Sequence, residues 1–266
     1  MDPKKYRCEH RHDGLSHPRC FEVDNGLKLP TYEGRGRIQT KGDAIIAFDL
    51  HSPYHDPEMI KLLFKLRKKR KIDTLIIGGD TTDFKSLYHK EGQDAEYSWT
   101  EEMRLTKRLM RRICSEFKYV YWIKGNHDHR LARLLNSNKQ MMDLYTMILD
   151  FPNLTMLDTF YCEVNGWLLI NHPMRARRNK VSYIEDLCRR YRKSVLNGHT
   201  HRFVFAVDDS GNDVIGEGLH LTNPDYHEYK TRELGLHSEW VQGVWIMHGE
   251  SIFPYVIHPR VYNNEA

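Results

Sequence analysis

An α/β fold organised around a parallel sheet is predicted by two features of the sequence. Three short runs rich in aliphatic, β-branched and aromatic residues, at 44–48, 74–79 and 119–123, are separated by segments with helical spacing. That β-α-β-α-β order calls for parallel strands joined by right-handed crossovers. Each run also stops abruptly, and an aspartate, asparagine or histidine follows. Ligands bind at the carboxyl ends of strands in open α/β sheets, so one rim is expected to collect these side chains.

The first strand run leads into Asp49-Leu50-His51, and Asp56-Pro57 then opens a helix as N-cap and first helical residue. Ile60, Leu62, Leu63, Phe64 and Leu66 form its apolar face, and a basic cluster at 67–71 closes it. The second run ends in Gly78-Gly79-Asp80. Ser98-x-x-Glu101 has the spacing of a capping box for a helix reaching about Phe117. The third run, Tyr119-Val120-Tyr121-Trp122-Ile123, ends in Lys124-Gly125-Asn126-His127-Asp128-His129-Arg130. Residues 131–151 read as helix. Asn165-Gly166 marks a hairpin between strands at 160–164 and 167–170, the second ending at Asn171-His172-Pro173. A helix at about 181–193 precedes Ser194-Val195-Leu196-Asn197 and Gly198-His199-Thr200-His201. Four further runs, at 203–207, 213–215, 241–248 and 252–257, read as antiparallel strands. Residues 221–239 lack a period and read as a loop beside the site.

Composition sets the outer bounds. The chain has 266 residues, a net charge of +4, 29% charged and 40% hydrophobic residues, an ordinary globular balance that tolerates an anionic partner. No run approaches the ~18 apolar residues of a membrane span, and the start has no apolar stretch of the secretory kind. Five scattered cysteines resemble no disulfide framework. A cytoplasmic protein without a membrane partner is expected. The sequence divides into an N-terminal extension (1–42), a main domain (43–258) and a short tail (259–266). Within the extension Cys8, His12, His17 and Cys20 form a candidate structural zinc set, with a histidine-rich polar arm as the plainer alternative.

Sixteen histidines require an explanation. Asp49 and His51, Asp80, Asn126 and His127, His172, and His199 and His201 each lie just past a predicted strand. Asp and Asn favour turns, but five such coincidences exceed turn chemistry. Two carboxylates, one amide oxygen and four imidazoles suit a pair of borderline divalent cations better than calcium or a thiolate zinc site. Asp80 shared between two cations leaves coordination positions open for water and substrate.

The motif order Asp-x-His, Gly-Asp-x-x-Asp, Gly-Asn-His-Asp, His and Gly-His-x-His resembles the calcineurin-like metallophosphoesterases from residue 43 to about 257. The resemblance implies a four-layer α/β-β/α sandwich of two mixed sheets with two divalent metals at its mouth: manganese first, with iron, zinc, nickel or magnesium as alternatives. Asp49, His51, Asp80 and His201 then hold one metal, and Asp80, Asn126, His172 and His199 the other. His127, oriented by a carboxylate, protonates the leaving group, and a hydroxide held between the metals attacks phosphorus. Asp128 is expected to support the site rather than ligate.

The substrate is less sharply marked. Arg130 resembles the phosphate-contacting arginine of protein phosphatases in the superfamily, but the Arg-Gly those enzymes carry after the second aspartate is missing at Asp83-Phe84-Lys85. The motif is closer to the nuclease and phosphodiesterase branches. Arg175, Arg177 and Arg178 follow His172 and suit phosphate contacts along a nucleic acid, or a solvated loop. The ending Asn223-Pro224-Asp225-Tyr226 with Trp240 to Gly243 also resembles compact prokaryotic and phage-type members, placing the protein in a host cytoplasm if phage-encoded. Hydrolysis of phosphodiesters, nucleotide or nucleic acid, is the expectation. A phosphomonoesterase and a non-catalytic nucleic-acid-binding protein on the same fold are the alternatives. No signal of oligomeric state is present.

Overall fold

The structure is a computed structural model and describes residues 36–88, 95–174, 180–209, 211–227 and 240–257. Among them are twelve strands and five α-helices. The first half contains β1 (Arg37–Ile38), β2 (Ala44–Ala47), α1 (Pro57–Arg70), β3 (Thr74–Ile77), α2 (Trp99–Glu116), β4 (Tyr119–Ile123), α3 (His129–Leu134), α4 (Asn138–Ile148) and β5 (Leu154–Leu157). The second contains β6 (Tyr161–Val164), β7 (Leu168–Asn171), α5 (Lys180–Tyr191), β8 (Ser194–Asn197), β9 (Val204–Val207), β10 (Val214–Glu217), β11 (Gln242–His248) and β12 (Ser251–Ile257).

Two six-stranded mixed sheets form, ordered β12-β11-β2-β3-β4-β5 and β1-β6-β7-β8-β10-β9. Side-chain alternation along the strands assigns each residue to a layer. Ile45, Leu75, Ile77 and Trp122 pack outward against Leu63 of α1, Met110 of α2 and Tyr145 of α4. Ile46, Ile76 and Ile123 face inward and meet Val164, Ile170 and Leu196 of the other sheet. Leu169 and Val195 turn away to cover Ile184 and Cys188 of α5. Helix, sheet, sheet, helix: the four-layer sandwich is observed.

Local signals account for most elements. Asp56 caps α1 by accepting the Glu58 amide at 2.8 Å, with Pro57 at the first position. The capping box on α2 forms as its spacing predicts, Ser98 and Glu101 satisfying each other's backbone N–H. Asn165 and Gly166 both adopt positive φ, 51° and 80°, as a type I′ hairpin needs.

Four expectations need correction. Residues 131–151 are two helices rather than one, because Asn136 turns left-handed (φ 49°) and Ser137 starts α4 by capping the Gln140 amide at 3.2 Å. A strand unmarked in the sequence reading, β5, follows and closes the first sheet beside β4. The strand at 214–217 pairs antiparallel with β9 but parallel with β8. Arg37–Ile38, inside the expected extension, pairs parallel with β6, and Glu163 donates its amide to Gly36 O at 2.5 Å. The sheet thus begins before residue 43. Cys8, His12, His17 and Cys20, and Arg175, Arg177 and Arg178, lie outside the described residues.

Register decides what meets at the rim. Ala47 pairs with Ile77 and Ile77 with Trp122, so β2, β3 and β4 end level. Asn171 pairs with Asn197 and Asn197 with Glu217, levelling β7, β8 and β10 in the other sheet.

Candidate metal centre

Past those strand ends the loops are tied together by their backbones. Asp49 and His51 donate their amides to Gly79 O at 3.1 Å and Asp80 O at 2.8 Å, and Gly198 donates to Asn171 O at 3.0 Å. The two sheets are joined directly: the His199 amide donates to Asp49 Oδ2 at 3.0 Å, and His172 Nδ1 donates to Gly78 O at 2.9 Å. Asp49, His51, Asp80, His199 and His201 all adopt left-handed backbone conformations, with φ between 49° and 84°. Each such residue costs of order 1–3 kcal/mol unless its surroundings hold it, and this strain clusters at functional sites. Glycine is required at 125, where a Cβ would overlap the Asp80 carboxylate and amide.

The side chains converge on two buried points. His201 Nε2 lies 3.2 Å from Asp49 Oδ1, and His51 Nε2 lies 3.6 Å from it and 3.7 Å from Asp80 Oδ2. On the other side His172 Nε2 lies 3.1 Å from Asp80 Oδ2 and 3.3 Å from Asn126 Oδ1, with the His199 ring 5.6 Å from His172, centroid to centroid. Asp49-His51-His201 and Asp80-His172-His199 each bring ligand atoms within 4.8 Å of one another, as does His51-Asp80-His127. Asp49, Asp80 and His172 are at most 1% exposed.

This donor set fits cations. Asp49 Oδ1 is buried and makes no hydrogen bond, a costly state for a carboxylate oxygen with imidazole nitrogens around it. His51 Nδ1 donates to Asp83 Oδ1 at 2.7 Å and His172 Nδ1 to Gly78 O, so both present Nε2 to the cluster, the arrangement that orients metal-ligating histidines. The carboxylates also raise the proton affinity of two of the imidazoles around them. Burial opposes charge on His51, but the carboxylates of Asp49 and Asp83 outweigh it and push the ring up to about 10. His172 is likewise pushed up to about 9 against burial, by Asp80 and Asp49. Burial also works against the charge of Asp49, yet His201 and His172 hold its carboxyl well below the usual range. His199 goes the other way, down to about 4 through burial and the neighbouring His172.

His127 sits at the edge of this cluster. Its amide donates to Asp80 Oδ1 at 2.7 Å, and its Nδ1 lies 2.8 Å from Asp83 Oδ1 and 3.0 Å from Asp83 O. Its Nε2 faces Asp80 Oδ2 at 3.9 Å and accepts from Arg130 Nη2 at 3.2 Å. Burial, opposed by Asp80 and reinforced by Arg130, holds the ring below its ordinary pKa. Arg130 also donates through Nη1 to Asp83 O at 3.0 Å and lies over the Tyr88 ring at 4.7 Å. Asp128 is a buttress, as expected: it accepts from the amides of Thr82 and Gly125, both at 2.8 Å, and from the Thr82 hydroxyl at 2.6 Å.

All seven sequence-predicted ligands and His127 meet here, and Arg130 lies against His127. Four further residues join them. Asp83, the last residue of Gly-Asp-x-x-Asp, is the carboxylate that holds His127, and its spacing from Asp80 was the available signal. Glu102 lies buried beneath the turn after Asp83 and accepts from the Ser86 amide at 3.4 Å. Glu217 accepts from the Thr200 hydroxyl between the two histidines of Gly-His-Thr-His. His220 stacks on His201 at 4.6 Å. No local pattern marks these last three.

Seven oxygen and imidazole donors at the shared rim of two α/β layers form a candidate metal centre. The sequence profile of the calcineurin-like phosphoesterases matches residues 49–203, more than half of the chain, and the protein belongs to that family. None of the curated proteins matches the sequence. Among solved structures the chain is similar to YfcE, a phosphoesterase from E. coli, at 14% identity, covering 81% of this chain and 100% of that one with a TM-score of 0.43. Vps29 from Entamoeba histolytica, complexed with Zn²⁺, is similar at 14% identity over 82% and 94% of the two chains, TM-score 0.41. TT1561 of Thermus thermophilus is similar at 8% identity over 82% and 99%, TM-score 0.42. Likeness of this extent bears on neither substrate nor mechanism. No helix among the described residues is long and apolar enough to cross a membrane.

Proposed function

We propose that the protein is a two-metal phosphodiesterase of the cytoplasm, acting on nucleotide or nucleic-acid diesters, with manganese as the resident ion. The observation that carries this reading is the pair of buried donor groups on either side of Asp80, with an additional imidazole, His127, just outside them. Asp49, His51, Asp80 and His201 would hold one cation, and Asp80, Asn126, His172 and His199 the other. Bound cations supply Lewis-acid stabilisation of phosphoryl charge and acidify the attacking water.

The chain's own residues do the rest. Asp83 fixes the His127 ring through Nδ1, leaving Nε2 as the atom that carries a proton to the leaving oxygen. Nε2 accepts from Arg130 Nη2 at 3.2 Å. An incoming phosphate dianion or diester anion competes for that guanidinium, and its departure opens Nε2 to take up a proton. Arg130 thereby serves both substrate binding and readiness of the acid. A proton donor matters most for alkoxide leaving groups, as in natural diesters, and contributes on the order of 10²–10⁴-fold.

The test loads purified protein with Mn²⁺ and compares monoesters with diesters carrying nitrophenolate or alkoxide leaving groups. Diesters should turn over, and His127→Ala should lose roughly 10²-fold or more on alkoxide leaving groups while keeping most activity on nitrophenyl esters. Hydrolysis of monoesters alone would exclude the diesterase reading, and equal loss on both leaving groups would exclude His127 as the acid.

A further inference from the structure

We propose that Tyr226 is a positioning residue for His127, acting through Asp83; the proposal rests on the reading of His127 as proton donor. Asp83 is 2% exposed and divides its two oxygens between different tasks. Oδ1 accepts from His51 Nδ1 at 2.7 Å and lies 2.8 Å from His127 Nδ1. Oδ2 accepts from the Tyr226 hydroxyl at 3.1 Å. Two hydrogen bonds at opposite oxygens of one buried carboxylate fix the plane of the group, and with it the position of Oδ1 against the His127 ring.

Without the phenol, Oδ2 is left with one donor fewer and the carboxylate gains freedom to rotate about its Cβ–Cγ bond. His127 Nδ1 lies between two acceptors, donating to Asp83 O at 3.0 Å while Oδ1 stands 2.8 Å away. The ring then divides its time between two acceptors, and Nε2 no longer points in one direction. The His127 backbone, fixed by Asp80, stays where it is. The defect expected is one of orientation at the proton donor.

Tyr226 is delivered to this position by a well-tied segment. The Asn223 amide donates to Tyr54 O at 2.9 Å, the Tyr226 amide to Asn223 O at 3.2 Å, and His55 and Thr222 form an isolated bridge. The Tyr226 ring stacks on Tyr54 at 3.5 Å and 10°, and the Lys85 ammonium lies 5.1 Å from its centroid. Tyr54 lies three residues after His51, so this stack ties the 220s segment to the first ligand loop.

Tyr226→Phe keeps the ring stack and removes the hydroxyl alone. With Mn²⁺ bound, kcat should fall about tenfold on diesters with alkoxide leaving groups and less than about twofold on nitrophenyl diesters, with KM and bound manganese unchanged. In a His127→Ala background the same substitution should cause no further loss. Equal loss on both leaving groups, lost manganese, or an undiminished effect in the His127→Ala background would overturn the proposal, as would wild-type kinetics. If His127→Ala shows the leaving-group dependence and Tyr226→Phe does not, only the role of Tyr226 fails. If His127→Ala shows none, the donor reading fails and takes the proposal with it.

Discussion

Asp83 connects the two halves of the chemistry, because its side chain accepts from a candidate ligand, His51, and its carbonyl accepts from the candidate acid, His127. Residues that orient metal-bound imidazoles typically matter 10–100-fold for metal affinity or activity. Asp83→Ala is therefore expected to weaken manganese binding about 10–100-fold, measured by competition with a chelator of known affinity; unchanged binding would show that His51 needs no such partner. Gly125→Ala probes the closest approach in the site. Its methyl group would collide with the Asp80 carboxylate and amide, so Asp80 must move. A loss of about 1–3 kcal/mol in urea unfolding, with weaker metal retention, is expected from such overpacking. At this scale the sequence was most informative. Asp49, His51, Asp80, Asn126, His172, His199 and His201 each follow a strand directly, and strand ends are visible as stops in apolar runs. Tyr226 was not legible as a site residue: it reaches Asp83 across 143 positions of sequence, and only tertiary packing brings them together.

Elements were legible where a local signal ends them. Asp56-Pro57 and Ser98-x-x-Glu101 announced α1 and α2 because capping is chemistry among neighbours, and Asn165-Gly166 announced the hairpin because few residues accept two positive φ values. The boundary between α3 and α4 was hidden because Asn136 and Ser137 interrupt an otherwise helical pattern for only two positions. The strand β5 was hidden because four residues, Leu154 to Leu157, are too few to show a period. Nor could the parallel pairing of β10 with β8 be foreseen, since partner choice is made between distant segments. The cap on α2 has a consequence for the site, because the same helix carries Glu102 in its first turn. Ser98→Ala should cost about 1 kcal/mol and lower the thermal midpoint by a few degrees; no shift would mean that packing alone defines the start of the helix.

The whole molecule places its ligands on both sheets, Asp49, His51, Asp80 and Asn126 on one and His172, His199 and His201 on the other. Cations that bind the folded rim alone stabilise the sandwich by mass action. Buried acids set a second global dependence. Glu102 is pushed up to about 8 by burial and the nearby Asp83 charge, and Glu217 up to about 7, mainly by burial. The unfolded chain releases these protons near the ordinary 4.5 while the folded one keeps them, so stability should fall as pH rises from about 5 to 8. Urea unfolding at both ends of that window should show a smaller fall for Glu102→Gln than for the wild type; an equal fall would assign the dependence elsewhere. The central claim is that one rim holds two cations around Asp80. The most direct test is an anomalous difference map from crystals of the protein loaded with Mn²⁺. Two peaks are predicted, one among Asp49, His51, Asp80 and His201 and one among Asp80, Asn126, His172 and His199. A single peak, or none at these side chains, would contradict the account.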